Sequence, residues 1–260
     1  MGVENRDYSM DFQGKTVLVT GGASGIGEAI ARLFTELGAT VCVVDLNGSG
    51  AAAPEHYLVQ GDVSSEADVQ RVAAEAFNRM GSIDVLVNNA GMLGPREATA
   101  SQELAAWQRA IDVNLTGTYL MSRAVGPRMV ERGGGAIINI ASILGLGGSP
   151  RIHAYGASKA GVIMLTRALA CEWARAGVRV NCVAPGYTLT RGIDRLAGAG
   201  KFDPAPIETR TPMGRMGKPI EIAHAVAYLA SDWASYVTGA TLAVDGGWTA
   251  FGAAGEAARN

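Results

Sequence analysis

The chain is expected to fold as one doubly wound α/β domain, a parallel β-sheet with helices on both faces (a single-domain Rossmann fold). Three observations predict it. Short β-branched runs alternate with longer stretches of helical period over the 260 residues. Most of these runs are apolar throughout rather than alternating, as strands buried on both faces must be. A glycine-rich turn, TGGASGIG at Thr20–Gly27, joins the first run to the first helical stretch. No repeat or domain boundary interrupts the alternation, and 48% apolar residues suffice for a large core.

In chain order, the first strand is expected at Thr16–Thr20. The first helix follows, because Ile26, Ala29, Ile30, Leu33, Phe34 and Leu37 recur at three- and four-residue steps and Gly38 stands where a helix C-terminus is capped. Further strands are expected at Thr40–Asp45, Tyr57–Val59, Val85–Asn88, Ala136–Ala141, Val178–Val183 and Thr241–Val244, and helices at Glu66–Met80, Leu104–Arg132, Ala154–Ala176 and Ile220–Leu229. The segment 188–217, containing GAGKFDPAP, is either a lid over a site or a mobile loop, with the lid the better fit beyond a strand C-terminus. Residues 1–13 and 248–260 read as tails, the second either reaching a neighbouring subunit or fraying.

Composition excludes several classes. With 22 basic against 24 acidic residues and no charge run, nothing marks a nucleic-acid partner. No stretch reaches the roughly 18 apolar residues of a membrane span, and the polar N-terminal stretch has no apolar signal core, so a cytoplasmic location is expected. Cys42, Cys171 and Cys182 lie apart within apolar segments, without metal-ligand spacing, and read as reduced core thiols.

The turn TGGASGIG has the context of a phosphate cradle. Gly21 allows the tight turn, Gly25 lets backbone N–H groups approach a pyrophosphate, and Gly27 permits close helix packing. Asp45 ends the next strand, where a carboxylate can accept hydrogen bonds from an adenosine ribose and repel a 2′-phosphate; no cation follows it or sits in the turn, so NAD(H) is expected over NADP(H). Tyr155 and Lys159 stand one helical turn apart on one face, and a neighbouring ammonium lowers a phenol's pKa, so Tyr155 is the expected acid/base. Ser142 ends a strand and can hydrogen-bond a substrate oxygen. Met92, Leu93, Ile143, Leu144, Tyr187 and Ile193 follow strand ends and, with Ile152 three residues before Tyr155, are candidates for an apolar substrate wall; each also suits a core. His153 reads as a surface or interface residue.

The spacing Gly21-x3-Gly25-x-Gly27, Asp62-Val63, NNAG at Asn88–Gly91, Asn114, Ser142, YGASK at Tyr155–Lys159 and Pro185-Gly186 together resemble the short-chain dehydrogenase/reductase family, from Gly14 to Gly247. The resemblance implies that Ser24, Ile26, Leu46, Asp62, Val63, Asn89, Ala90, Gly91, Pro185, Gly186 and Thr188 join Asp45 and the glycines around the dinucleotide, Thr188 at the nicotinamide carboxamide. It also gives Asn114 the holding of a water beside Lys159, and Lys159 a contact with the nicotinamide ribose. A secondary alcohol, polyol or matching ketone is the implied substrate class, with no metal. The helices carrying Met121, Val125 and Met129 and Val162, Leu165, Leu169 and Trp173, or their core role, leave a homotetramer as the expected assembly. The alternatives are a 3-oxoacyl-[acyl-carrier-protein] reductase using NADPH, against which Asp45 counts, and a dinucleotide-binding sensor or scaffold without turnover, against which the Ser142, Tyr155 and Lys159 set counts.

Overall fold

The computed structural model describes residues 10–47, 55–253 and 256–257. Its strands are β1 (Thr16–Thr20), β2 (Thr40–Asp45), β3 (Tyr57–Gln60), β4 (Val85–Asn88), β5 (Gly135–Ile140), β6 (Val178–Pro185) and β7 (Thr241–Val244). Its helices are α1 (Gly25–Glu36), α2 (Glu66–Met80), α3 (Leu104–Ile111), α4 (Gly117–Arg132), α5 (His153–Trp173), α6 (Arg191–Gly198), α7 (Ala205–Arg210) and α8 (Pro219–Ala230). The strands form one sheet in the order β3-β2-β1-β4-β5-β6-β7, every neighbouring pair parallel.

The apolar strands bury both faces because successive side chains point to opposite sides. Val17 and Val19 of β1 face a core with Ile30 and Phe34 of α1 and Ile222 and Val226 of α8. Leu18 and Cys42 face the other core with Val72 of α2 and Met121 and Val125 of α4. The chain runs outward from β1 to β3 and then returns to β4 on the far side of β1, so the strand order reverses there. At such a reversal the connections diverge and leave a crevice beyond the strand C-termini.

The structure changes or sharpens five expectations. The predicted helix Leu104–Arg132 is interrupted by a π-helical turn at Asp112–Thr116; a wide hydrophobic stripe does not register one inserted residue, and such turns gather at functional sites. The predicted lid contains α6 and α7, and its base is closed by Leu189 N–H donating to the Gly217 carbonyl at 2.8 Å and Gly217 N–H to that of Tyr187 at 2.9 Å. Met121, Val125, Met129, Val162 and Leu169 are core, since they face the sheet rather than a second subunit. Cys171 is exposed, on the outer side of α5, while Cys42 and Cys182 are buried. The tails are partly built in: Phe12 is buried edge-to-face on Phe34, and Trp248 packs edge-to-face on Tyr187 of its own chain. Residues 1–9, 254–255 and 258–260 of the predicted tails lie outside the described residues.

Candidate active site

The glycine-rich turn is held open by its neighbours. Gly21 N–H donates to the Val44 carbonyl at 2.7 Å. The Asn89 amide donates to the carbonyls of Thr20 and Gly21 at 3.0 and 2.9 Å, and the Thr20 hydroxyl accepts from Asn89 and Ala90 N–H at 3.1 Å. Asn89 thus fastens the β4 loop to the turn. A Cβ on Gly27 would lie 2.1 Å from the Gly21 carbonyl oxygen, so α1 begins closer to the turn than any side chain allows. Gly27→Ala is expected to cost about 1–3 kcal/mol of stability through overpacking and to weaken NADH binding at least roughly tenfold by spreading the turn; a fluorescence titration beside a denaturation curve checks both.

Asp45 serves the backbone first. One carboxylate oxygen accepts from Ala23 N–H and the other from Asn47 N–H, both at 3.1 Å. Each oxygen keeps further lone-pair capacity, so the same carboxylate can take ribose hydroxyls. Asp62 bonds the Ser64 hydroxyl at 2.6 Å and pairs with Arg109 at 2.9 Å. Burial pushes its carboxyl up, but these partners outweigh burial and hold it below the usual range.

Asp45, Asp62 and Arg109 line a cleft of about 910 Å³, as do Gly21, Ser24, Gly25, Ile26, Leu46, Val63, Asn89, Ala90, Gly91 and Met92. Its size, the N–H groups of a helix N-terminus and the side-chain-free approach at Gly25 fit a dinucleotide. Gly27, Pro185, Gly186 and Thr188 do not line this cleft. Gly27 lies beneath the turn, and Thr188 is buried with its hydroxyl donating to the Gly186 carbonyl at 3.1 Å.

The sequence reading missed the cations. Arg32, Arg109, Arg191 and Arg195 also line the cleft, with Glu28 among them. Arg191 of α6 pairs with Glu28 at 2.7 Å and Arg32 with the same oxygen at 3.3 Å. A glutamate in the first turn of α1 is an ordinary helix-start residue in sequence; its partner comes from 163 residues away.

Ser142, Tyr155 and Lys159 come from β5 and α5. Ser142 lies two residues beyond β5 and its hydroxyl accepts from Leu144 N–H at 3.1 Å, leaving its own proton to donate. Tyr155 and Lys159 share one side of α5. The Lys159 ammonium is buried, donates to the Ile140 carbonyl at 2.7 Å and lies 5.6 Å from the Tyr155 ring centre. Burial pushes Lys159 down to about 8. The expected lowering of Tyr155 is corrected here: burial raises its phenol above the ordinary value, and the Ser142 hydroxyl pulls it back only in part. The reason is that desolvation of the buried phenolate outweighs the one hydrogen bond that favours it.

Asn114, within the π turn, is wholly buried. Its amide oxygen accepts from Met92 N–H at 2.8 Å, and its nitrogen donates to the Met92 carbonyl at 2.9 Å and the Ser158 hydroxyl at 3.0 Å. Ser158 donates to the Tyr155 carbonyl at 2.7 Å. Asn114 therefore ties the β4 loop to the Tyr155 turn of α5. Ser158 stood within YGASK but had no chemical signal of its own.

A second cavity of about 350 Å³ opens beside Ile143 and Leu144, with Tyr187, Arg210, Trp248 and Phe251 on its other walls. The candidate substrate residues thus divide. Ile143, Leu144 and Tyr187 line this cavity and Met92 the larger cleft, while Leu93, Ile152 and Ile193 line neither, and Ser142 and Tyr155 lie outside both linings. Leu93 projects into solvent, and Ile152 is buried at the start of α5. His153 is half-buried there, with its Nε2 enclosed.

A parallel sheet of this order with a dinucleotide-sized cleft at its reversal point and Ser, Tyr and Lys beside it defines a nicotinamide-dependent oxidoreductase. The chain belongs to the short-chain dehydrogenase/reductase family: the family model described as Enoyl-(Acyl carrier protein) reductase matches residues 21–249. It is 43% identical over 92% of its length to a cis-4-hydroxycyclohexanecarboxylate dehydrogenase of Sinomonas cyclohexanicum, 98% of which is covered, and 42% identical over 94% to a D-threitol dehydrogenase of Mycolicibacterium smegmatis, 96% covered. An uncharacterized short-chain dehydrogenase/reductase of Sinorhizobium fredii, y4vI, is 46% identical over 90% of the chain, which spans only 44% of that longer protein. Among solved structures, one described as a ribose-5-phosphate isomerase from Brucella melitensis superposes with a TM-score of 0.90 at 39% identity, covering 96% of this chain and 99% of its own. Among the described residues no helix is long and apolar enough to cross a membrane.

Proposed function

We propose that the protein is an NAD(H)-dependent dehydrogenase that interconverts a secondary alcohol or polyol and its ketone, acting as a cytoplasmic homotetramer. The observation that carries this reading is the placement of the Ser142 hydroxyl, the Tyr155 phenol and the buried Lys159 ammonium together on β5 and α5. The relatives named for threitol and for a hydroxylated ring support the substrate class. The dinucleotide, when bound, takes the hydride in oxidation and supplies it in reduction.

The rest falls to the chain. Ser142 donates a hydrogen bond to the carbinol or carbonyl oxygen and orients it. Tyr155 Oη, as phenolate, removes the carbinol proton in oxidation and, as phenol, returns one to the oxygen in reduction. Lys159 holds positive charge behind the phenol, and Asn114 and Ser158 fix the helix turn that carries it. Gly21 and Gly25, on a turn kept tight by Gly27 beneath it, would hold the pyrophosphate, and Asp45 the adenosine ribose. Arg191, bound to Glu28, holds the segment 188–217 against α1 as a lid.

For NAD(H) over NADP(H), the support is Asp45 together with the pairing of three of the four cleft arginines: Arg32 and Arg191 are both held by Glu28 and Arg109 by Asp62, while Arg195 donates to the Arg191 carbonyl. Purified protein followed at 340 nm against secondary alcohols and polyols tests the reading; NAD⁺ is expected to outperform NADP⁺ at least roughly tenfold in kcat/KM, consistent with the usual size of one mispaired charge. Asp45→Ser should shrink that preference mainly through the KM for NAD⁺. A wild-type preference for NADP⁺ would reverse the assignment. Isomerisation, for which one structural neighbour is named, leaves the cofactor's redox state unchanged, so stoichiometric NADH formation separates the two reactions.

A further inference from the structure

The smaller cavity has one charged wall. Arg210 ends α7, and its guanidinium carbon lies 4.0 Å from the ring centre of Trp248 and 5.9 Å from that of Phe251. The guanidinium lies over both rings, and Nη1 donates to the Trp248 carbonyl at 3.2 Å. Guanidinium carries five N–H donors. The other contacts formed by Arg210 among the described residues are with rings, and it makes no ion pair there. Of the lid's other arginines, Arg191 is held by Glu28 and Arg215 by Glu221, while Arg195 donates to the Arg191 carbonyl and faces the larger cleft. Arg210 is thus a preorganised, half-buried cation with donors to spare.

The opposite wall begins with Ile143 and Leu144, the residues directly after Ser142. A molecule whose carbinol met Ser142 and Tyr155 would have to pass Ile143 and Leu144 to reach Arg210. We propose that Arg210 is an anion-recognition residue of the substrate site, binding the carboxylate of a hydroxy acid whose secondary alcohol is the reacting group. This rests on the secondary-alcohol reading above. A carboxylate is favoured because it matches the planar fork with two parallel hydrogen bonds. A phosphate monoester carries about 1.5–2 negative charges at neutral pH, and among the described residues lining the cavity Arg210 is the only charged side chain.

The test compares unbranched secondary alcohols bearing a terminal carboxylate, from 3-hydroxybutanoate to 6-hydroxyheptanoate, each with its primary amide and with the phosphate monoester of the corresponding diol. The wild type is expected to prefer one acid over its amide by at least about 100-fold in kcat/KM, the size of a lost charge-assisted bidentate contact. In Arg210→Met that ratio should collapse to within about threefold of one, through KM for the acid, and Arg210→Lys should restore part of it. Equal losses on acid and amide, or a preference for the phosphate, would overturn the assignment.

Calorimetry with unreactive hexanoate and hexanamide, on wild type and Arg210→Met of matched melting temperature, reads the site without turnover. Hexanoate binding that depends on Arg210 while no alcohol is oxidised would support the anion site and reject the dehydrogenase reading. Oxidation of neutral alcohols with no Arg210-dependent preference for hexanoate would do the reverse.

Discussion

Tyr155→Phe is expected to lower kcat by about 10²–10⁴-fold, the span of general acid–base catalysis, with NADH affinity unchanged within about threefold. The substitution deletes one oxygen and keeps the ring that packs above Lys159, so folding and cofactor binding should survive. Of the three side chains the phenol is the one assigned the proton exchange, while Ser142 orients the substrate oxygen through its hydroxyl and Lys159 is engaged with the Ile140 carbonyl. Burial raises the Tyr155 pKa, so oxidation by the wild type should climb with pH through the alkaline range, and the residual rate of Tyr155→Phe should lose that dependence. Steady-state rates across pH, beside a fluorescence titration with NADH, check both parts. A variant keeping full turnover would remove Tyr155 from the mechanism.

Lys159→Met is expected to abolish most activity while changing stability in a pH-dependent way. In the folded protein burial lowers Lys159 from its ordinary 10.5 to about 8. The unfolded chain therefore binds its proton more tightly, and ∂ΔG/∂pH from this group is positive between those values. Below about pH 8 the folded protein carries a buried ammonium at a cost of roughly 3 kcal/mol; as pH rises toward 10.5 this cost disappears. The methionine variant should thus gain on the wild type at pH 7 and lose that gain by about pH 10.5, offset throughout by roughly 1–3 kcal/mol for the Ile140 carbonyl left without its donor. Urea denaturation of both proteins at pH 7 and 10.5 reads the difference directly. A gap that does not move with pH would show that the ammonium is solvated, and the field it is assigned behind Tyr155 would fall with it.

Much of the fold was legible in the residues alone. The β-branched runs placed all seven strands within two residues at their ends, because strands of a parallel sheet covered on both faces read as nearly continuous apolar runs. The spacing of Tyr155 and Lys159 placed them on one helix face, since helical period is a local property. The glycine spacing in TGGASGIG announced the close approach that the Gly27 contact with the Gly21 carbonyl makes concrete. Local geometry repeats along a chain, and composition records it.

What tertiary structure alone decided lies between segments distant in sequence. The π turn around Asn114 follows from its bonds to Met92 and Ser158, 22 and 44 residues away. Glu28 acquires Arg191 from the lid, and Arg210 meets Trp248 only because the segment after β7 folds back over α7. The raised phenol of Tyr155 and the lowered ammonium of Lys159 also belong here, for desolvation depends on every atom packed around a charge and not on its neighbours in the chain.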